Sequence, residues 1–213
     1  MISTVIFDLD GLLTDTERLH CQAWQQTLAT IGVAVSDEEY AEHWIRTGLG
    51  IVEFLRLRGL PHEVADLRRA KGGAFATLVD TSLCAMPGAL ALVEMLHGKK
   101  RLALATSSFR DHAEMVLRGL DLARYFEAIA TSESAPRGKP HPDLFLYVAE
   151  RLGVTASECV VLEDAEKGVL AAHAAGMKVI AVPTRETRGN DFSKATRVVS
   201  SLSEVTLPLL DSL

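Results

Sequence analysis

Two short apolar runs in this sequence each end in a pair of acids. Thr4-Val5-Ile6-Phe7 leads into Asp8-Leu9-Asp10-Gly11, and Cys159-Val160-Val161-Leu162 leads into Glu163-Asp164. If both runs are strands of one open parallel sheet, these acids lie beyond its carboxyl edge, where such sheets bind ligands. Alternation along a strand puts residues 8 and 10 on one face. Four like charges, Asp8, Asp10, Glu163 and Asp164, repel unless a cation lies among them. An all-oxygen donor set selects a hard cation, Mg²⁺ first. The positive counterpart is Lys139, within Arg137-Gly138-Lys139-Pro140-His141-Pro142. The two prolines are expected to hold that loop extended and to fix where the lysine emerges. A third apolar run ends in Thr106-Ser107-Ser108, which offers a hydroxyl and backbone N–H groups to an oxyanion. A carboxylate nucleophile, Mg²⁺, a lysine and a hydroxyl nest together describe phosphoryl transfer to an aspartate.

These groups need a scaffold that delivers them to one edge. Apolar, β-branched runs predict strands over Thr4–Leu9, Arg101–Thr106, Ala128–Thr131, Cys159–Glu163, Lys178–Val182 and Arg197–Ser200. Helix-period segments fill the gaps, over Ala89–Leu96, Asp111–Arg118, Asp143–Leu152 and Ala165–Ala175. Each closes on or near a glycine, the residue that accepts the left-handed position after a helix. Alternation of this kind predicts an α/β fold, a doubly wound, Rossmann-like parallel sheet. From residue 14 to about 83 the alternation stops. Thr14-Asp15-Thr16-Glu17 and Ser36-Asp37-Glu38-Glu39 fit capping boxes for helices running to Gly32 and through Trp44. A third helix covers Ile51–Arg58, and a fourth starts at Pro61 with Gly72-Gly73 placed to bend or split it. The expected organisation is a core of residues 1–14 and 84–213 with an inserted all-helical cap of residues 15–83.

Asp8-Leu9-Asp10-Gly11, Thr106, Lys139 and Glu163-Asp164, in that order, resemble the four motifs of the haloacid dehalogenase superfamily. A helical insert directly after the first motif is similar to the helical-cap branch, where the nearest likeness is to sugar-phosphate phosphatases and β-phosphoglucomutase. The resemblance implies that Asp8 attacks phosphorus, and that Asp10 protonates the leaving oxygen and later activates water. It implies Mg²⁺ held by Asp8, the Asp10 carbonyl and Asp164, with Glu163 at or beside the metal. Thr106 and Lys139 would hold the phosphoryl oxygens, with Ser107 beside them. Dehalogenases of the superfamily lack the second acid, because a halide needs no proton to leave. Asp10 therefore favours a phosphate ester. The stretch from Asp15 to Trp24 resembles the start of the mutase cap, with His20 and Trp24 four apart; Lys71 and Arg46 are candidates for its cap lysine and arginine. Ser107-Ser108-Phe109-Arg110 replaces the mutase's Lys-Asn pair, leaving Arg110 as a further substrate candidate. The expectation is a Mg²⁺-dependent phosphatase of a small phosphate monoester, a sugar or polyol phosphate. A sugar phosphomutase and a non-catalytic phosphate-ligand binder are the alternatives.

Composition narrows the partners. The chain has 213 residues with 22 Lys and Arg against 28 Asp and Glu, a formal charge of −6. That balance argues against nucleic acid, and no apolar run reaches the ~18 residues of a membrane span. A small phosphorylated metabolite remains as the expected partner. No basic leader precedes Asp8, and Cys21, Cys84 and Cys159 are odd in number and widely spaced. They read as small reduced core residues of a cytoplasmic protein. His43, His62, His97, His112 and His173 have no metal-ligand spacing, and His141 reads as loop punctuation. No Gly-rich phosphate loop or G-x-S-x-G elbow occurs.

Overall fold

The computed structural model describes all 213 residues. Its sheet contains β1 (Thr4–Phe7), β2 (Arg101–Ala105), β3 (Ala128–Ala130), β4 (Cys159–Glu163), β5 (Lys178–Ala181) and β6 (Arg197–Val198). All pairs are parallel, in the order β3-β2-β1-β4-β5-β6. The fold is therefore α/β and Rossmann-like. β1 lies between β2 and β4, with Phe7 level with both Leu104 and Leu162. This register brings the acids after β1 and the acids at the end of β4 to the same edge. β1 and β4 are buried on both faces, which explains their unbroken apolar runs. All strands but β4 stop one or two residues before their expected ends, because the chain leaves the ladder to build the edge loops.

The chain forms two compact units, Thr16–Leu83 and the remainder. Thr16–Leu83 is wholly helical: α1 (Thr16–Ala29), α2 (Asp37–Tyr40), α3 (Ile51–Arg58) and α4 (Val64–Ser82). Ser36 closes the second expected capping box, its side chain accepting from Glu39 while Glu39 reaches back to the Ser36 amide. The first box does not use Thr14 as its cap: α1 opens at Thr16, and the Thr14 hydroxyl donates to the Cys84 carbonyl at 2.9 Å. α2 ends at Tyr40 and continues as a π-helix over Ala41–Arg46. Its wide turns place Trp44 on Tyr40, Phe54 and Trp24, at ring-centre distances of 5.1, 4.9 and 5.9 Å. α4 runs unbroken through Gly72-Gly73. Leu67, Lys71, Phe75 and Val79 form a buried stripe at four-residue spacing, and packing of α4 on α1 outweighs the ~1 kcal/mol that each glycine costs.

The α/β unit adds α5 (Ala89–Leu96), α6 (Arg110–Gly119), α7 (Asp143–Leu152), α8 (Glu166–Ala174) and α9 (Leu207–Asp211). α7 and α8 bury Leu144, Phe145, Val148, Val169 and Ala172 against one face of the sheet, with Ile6, Ala103, Val161 and Val179. α5 packs on β2. No helix is long and apolar enough to cross a membrane. Cys21 and Cys159 are buried, whereas Cys84 is exposed, contrary to the reading of all three as core residues. It lies where the chain re-enters the α/β unit. Its carbonyl accepts from the Thr14 hydroxyl and the Asp15 amide, a backbone task that needs no side-chain burial.

Candidate active site

The ends of β1 and β4 are joined by one lysine. The Lys139 ammonium lies 2.5 Å from Asp8 Oδ1, 2.7 Å from Glu163 Oε1 and 3.0 Å from the Ala105 carbonyl. Three donors meet three acceptors, and the side chain is 1% exposed. The Phe145 ring centre lies 5.1 Å from the ammonium, adding an aromatic face to its surroundings. Desolvation opposes the charge on Lys139, yet Asp8 and Glu163 together hold its pKa above the usual lysine range. The loop that carries Lys139 is not extended. His141 N–H donates to the Gly138 carbonyl across a cis Lys139–Pro140 bond, which closes a tight turn.

Asp8, Glu163 and Asp164 are buried, and their oxygens lie within 4.8 Å of one another. Glu163 is engaged at both oxygens, by Lys139 and by the Ala165 N–H at 2.9 Å. It is thus tied to the lysine and the backbone while standing among the three acids that could hold a metal. Asp8 Oδ2 and both Asp164 oxygens accept no hydrogen bond, so they fit a hard cation. Three carboxylates against one ammonium leave two negative charges, those a divalent ion would balance. Burial, the first cause, raises Asp8 from 3.8 to about 7, with Glu163 and Asp10 adding and Lys139 opposing. Burial also raises Asp164 well above the usual carboxylate range, assisted by Glu163 and Asp8.

Two glycines permit this crowding. Gly11 has φ +88°, and a Cβ there would sit 2.5 Å from Asp164 Oδ2. At Gly168, in the first turn of α8, a Cβ would overlap the Glu163 carboxyl.

Asp10 does not join the acids. β1 ends at Phe7, so strand alternation no longer governs residues 8 and 10. Asp10 Oδ2 instead accepts the Thr106 hydroxyl at 3.1 Å and the Ser108 hydroxyl at 2.7 Å. The expected four-carboxylate cluster is therefore three, because two hydroxyl donors hold the fourth carboxyl at the end of β2. Thr106 is buried and is pinned by its own N–H to the Ala130 carbonyl. Ser107 is exposed and makes no hydrogen bond, which leaves its hydroxyl and amide available.

The other candidates have neighbours of their own. Trp24 is buried in the aromatic core of the helical unit and stacks on Trp44, so its fourfold spacing from His20 reflects packing. Arg46 is exposed and forms ion pairs with Glu38 and Glu42 at 2.7 and 2.9 Å. Arg110 is exposed 3.6 Å from Glu114. His20 stacks on Phe75 with its Nδ1 2.6 Å from the Lys71 ammonium, and Lys71 is buried. Sequence reasoning missed Ser108, whose hydroxyl stands closer to Asp10 than that of Thr106. The run of three hydroxyl residues was the available signal.

A buried carboxylate–lysine cluster at the carboxyl edge of a Rossmann-like sheet, interrupted after β1 by a helical insert, is the frame of a hydrolase that works with carboxylates. The chain belongs to the haloacid dehalogenase-like hydrolases, whose family model matches residues 2–176, and to their helical-cap branch. It is 34% identical over 217 residues to protein CbbY of Cereibacter sphaeroides, covering 96% of this chain and 94% of that one. It is 34% identical over 183 residues to fructose-1-phosphate phosphatase YqaB of Escherichia coli, covering 84% and 95%. Among solved structures, CbbY from Rhodobacter sphaeroides in complex with phosphate superposes with a TM-score of 0.87 at 32% identity, covering 99% and 100%.

Two outcomes follow from this geometry. Alanine at 168 suits a helix better than glycine by ~1 kcal/mol, but overpacking against Glu163 costs about 1–3 kcal/mol. Gly168→Ala should therefore lower the melting temperature, and an unchanged or raised value would contradict the close approach. Asp8 has its folded-state pKa raised from 3.8 to about 7, so its contribution to stability is full below about pH 4 and lost as pH rises through 7. In chelator-treated protein, Asp8→Asn should gain in melting temperature relative to the parent between pH 5 and pH 8. A divalent cation added at pH 8 should narrow that gap.

Proposed function

We propose that this phosphatase hydrolyses a small phosphorylated carbohydrate through a phosphorylated Asp8. The observation that carries this reading is the Lys139 ammonium between Asp8 and Glu163, with Asp10 held separately two residues from Asp8. Asp8 is the nucleophile: one of its oxygens bonds to phosphorus as the bond from phosphorus to the ester oxygen breaks. Lys139 steadies that carboxylate and offers positive charge to the phosphoryl oxygens. Thr106 and Ser107 supply further donors at the end of β2. Asp10 gives its proton to the departing alkoxide and then takes a proton from the water that cleaves the aspartyl phosphate, returning Asp8 to its carboxylate.

Asp8 and Asp164, with the Asp10 carbonyl, would hold Mg²⁺, and Glu163 would stay on Lys139. The bound cation supplies charge balance for the phosphoryl group among the acids. The phosphatase relatives and the second acid support a phosphate ester over a halide as the leaving group.

The test is ³¹P NMR of the protein with Mg²⁺ and a panel containing fructose 1-phosphate, hexitol phosphates and β-glucose 1-phosphate with a trace of its bisphosphate. Inorganic phosphate should grow with time and be absent with Asp8→Asn. Normal turnover by that variant would remove Asp8 as nucleophile. Migration of the ester from the 1- to the 6-position without free phosphate would make the protein a mutase. Asp10→Asn should lose about 10²–10⁴ in rate on sugar phosphates, the usual worth of a positioned general acid.

A further inference from the structure

The Thr106 hydroxyl has two claims on it. It donates to Asp10 Oδ2 at 3.1 Å, and the proposed function also asks it to hold a phosphoryl oxygen. A threonine hydroxyl has one proton to donate, so it serves one acceptor at a time. When it turns to the phosphoryl group, the shorter bond to Asp10 Oδ2, from Ser108 at 2.7 Å, stays in place.

Ser108 is itself held at both of its backbone polar groups. Its N–H donates to Thr106 Oγ1 at 3.0 Å, and its carbonyl accepts from the Ser132 N–H at 3.0 Å. One residue further on from Ser132, the Glu133 carboxylate accepts the Arg110 N–H at 2.8 Å, at the start of α6. The α6 cap residue, Phe109, makes no side-chain capping bond, so the loop after β3 satisfies that helix end and ties down the turn that carries Ser108. Fixing one oxygen of a carboxyl fixes the plane of the group, and with it the direction in which the other oxygen points.

We propose that Ser108 is the positioning residue for Asp10, holding its carboxyl in line through the reaction while Thr106 changes partner. This rests on the reading of Asp10 as proton donor to the leaving group. The hydroxyl can serve Oδ2 whether Asp10 carries its proton or has given it up, since Oδ2 accepts in both states. In this role Ser108 acts through Asp10, by the hydroxyl that donates to Oδ2.

The experiment measures kcat/KM, which covers the steps up to departure of the leaving group and excludes the later hydrolysis of the aspartyl phosphate. Two substrates are compared: the sugar phosphate turned over fastest in the panel, and p-nitrophenyl phosphate, whose phenolate leaves without needing a proton. Loss of a hydrogen bond to an ionisable group predicts that Ser108→Ala loses about 10-fold on the sugar phosphate. With p-nitrophenyl phosphate the loss should stay under about 2-fold, since no proton donor is at stake. Ser108→Thr, which keeps the hydroxyl, should restore the sugar-phosphate value. Equal losses on the two substrates, or no loss on either, would overturn the assignment. Asp10→Asn separates the two levels. If it discriminates between the substrates and Ser108→Ala does not, Ser108 has no part in positioning and the general-acid reading stands. If Asp10→Asn also fails to discriminate, that reading falls and this inference with it.

Discussion

The Lys139 ammonium holds Asp8 of the loop after β1 and Glu163 at the end of β4 within hydrogen-bond reach of one cation, and the Ala105 carbonyl of β2 takes its third proton. Three neighbouring strands thereby meet at a single group. A buried lysine on its own would lose its proton to desolvation, and two buried carboxylates on their own would each keep theirs. Together they hold the lysine charged, while burial, assisted by the neighbouring carboxylates, raises Asp8 to about 7 and Asp164 well above the usual carboxylate range. Three carboxylates against one lysine leave a surplus of negative charge of the kind a divalent cation would balance.

Backbone detail around this lysine follows from the same crowding. Glu163 reaches Lys139 only because position 168 has no Cβ, and Asp164 fits beside the turn after Asp10 only because position 11 has none. At both places glycine is required by contact and not merely by turn geometry. Separation of the acids has a comparable cause. Asp10 would add a fourth carboxyl to the cluster if the strand continued, but β1 stops at Phe7 and hydroxyls at the end of β2 capture it. One acid pair thus divides into a carboxylate beside the lysine and a carboxyl held among hydroxyls, environments suited to a nucleophile and a proton donor.

Much of this was legible in the chain. Continuous apolar runs marked the six strands because a parallel sheet covered on both faces needs them. Acids at the ends of two such runs marked the edge. In the helical unit the pattern was less informative. His20 and Trp24 share a helical spacing, yet one ring stacks on Phe75 beside Lys71 and the other is buried against Trp44. Spacing says that two residues share a face and leaves open which neighbour the face meets. Arg46 shows the same gap: Glu38 and Glu42 bind it, an arrangement made across a π-helical turn that the sequence did not announce.

By itself the sequence determined the α/β class, the helical insert, the two acid pairs, Lys139 and the hydroxyl run, because composition and periodicity act over a few residues and are written along the chain. The tertiary structure alone decided which atoms meet. It assigned Glu163 to Lys139, sent Asp10 to Thr106 and Ser108, folded the loop of Lys139 into a turn, and carried Gly72-Gly73 through an unbroken helix. Each of these outcomes was set by competition among partners distant in sequence, where a hydrogen bond of known length or a packed ring outweighs a local preference of about 1 kcal/mol.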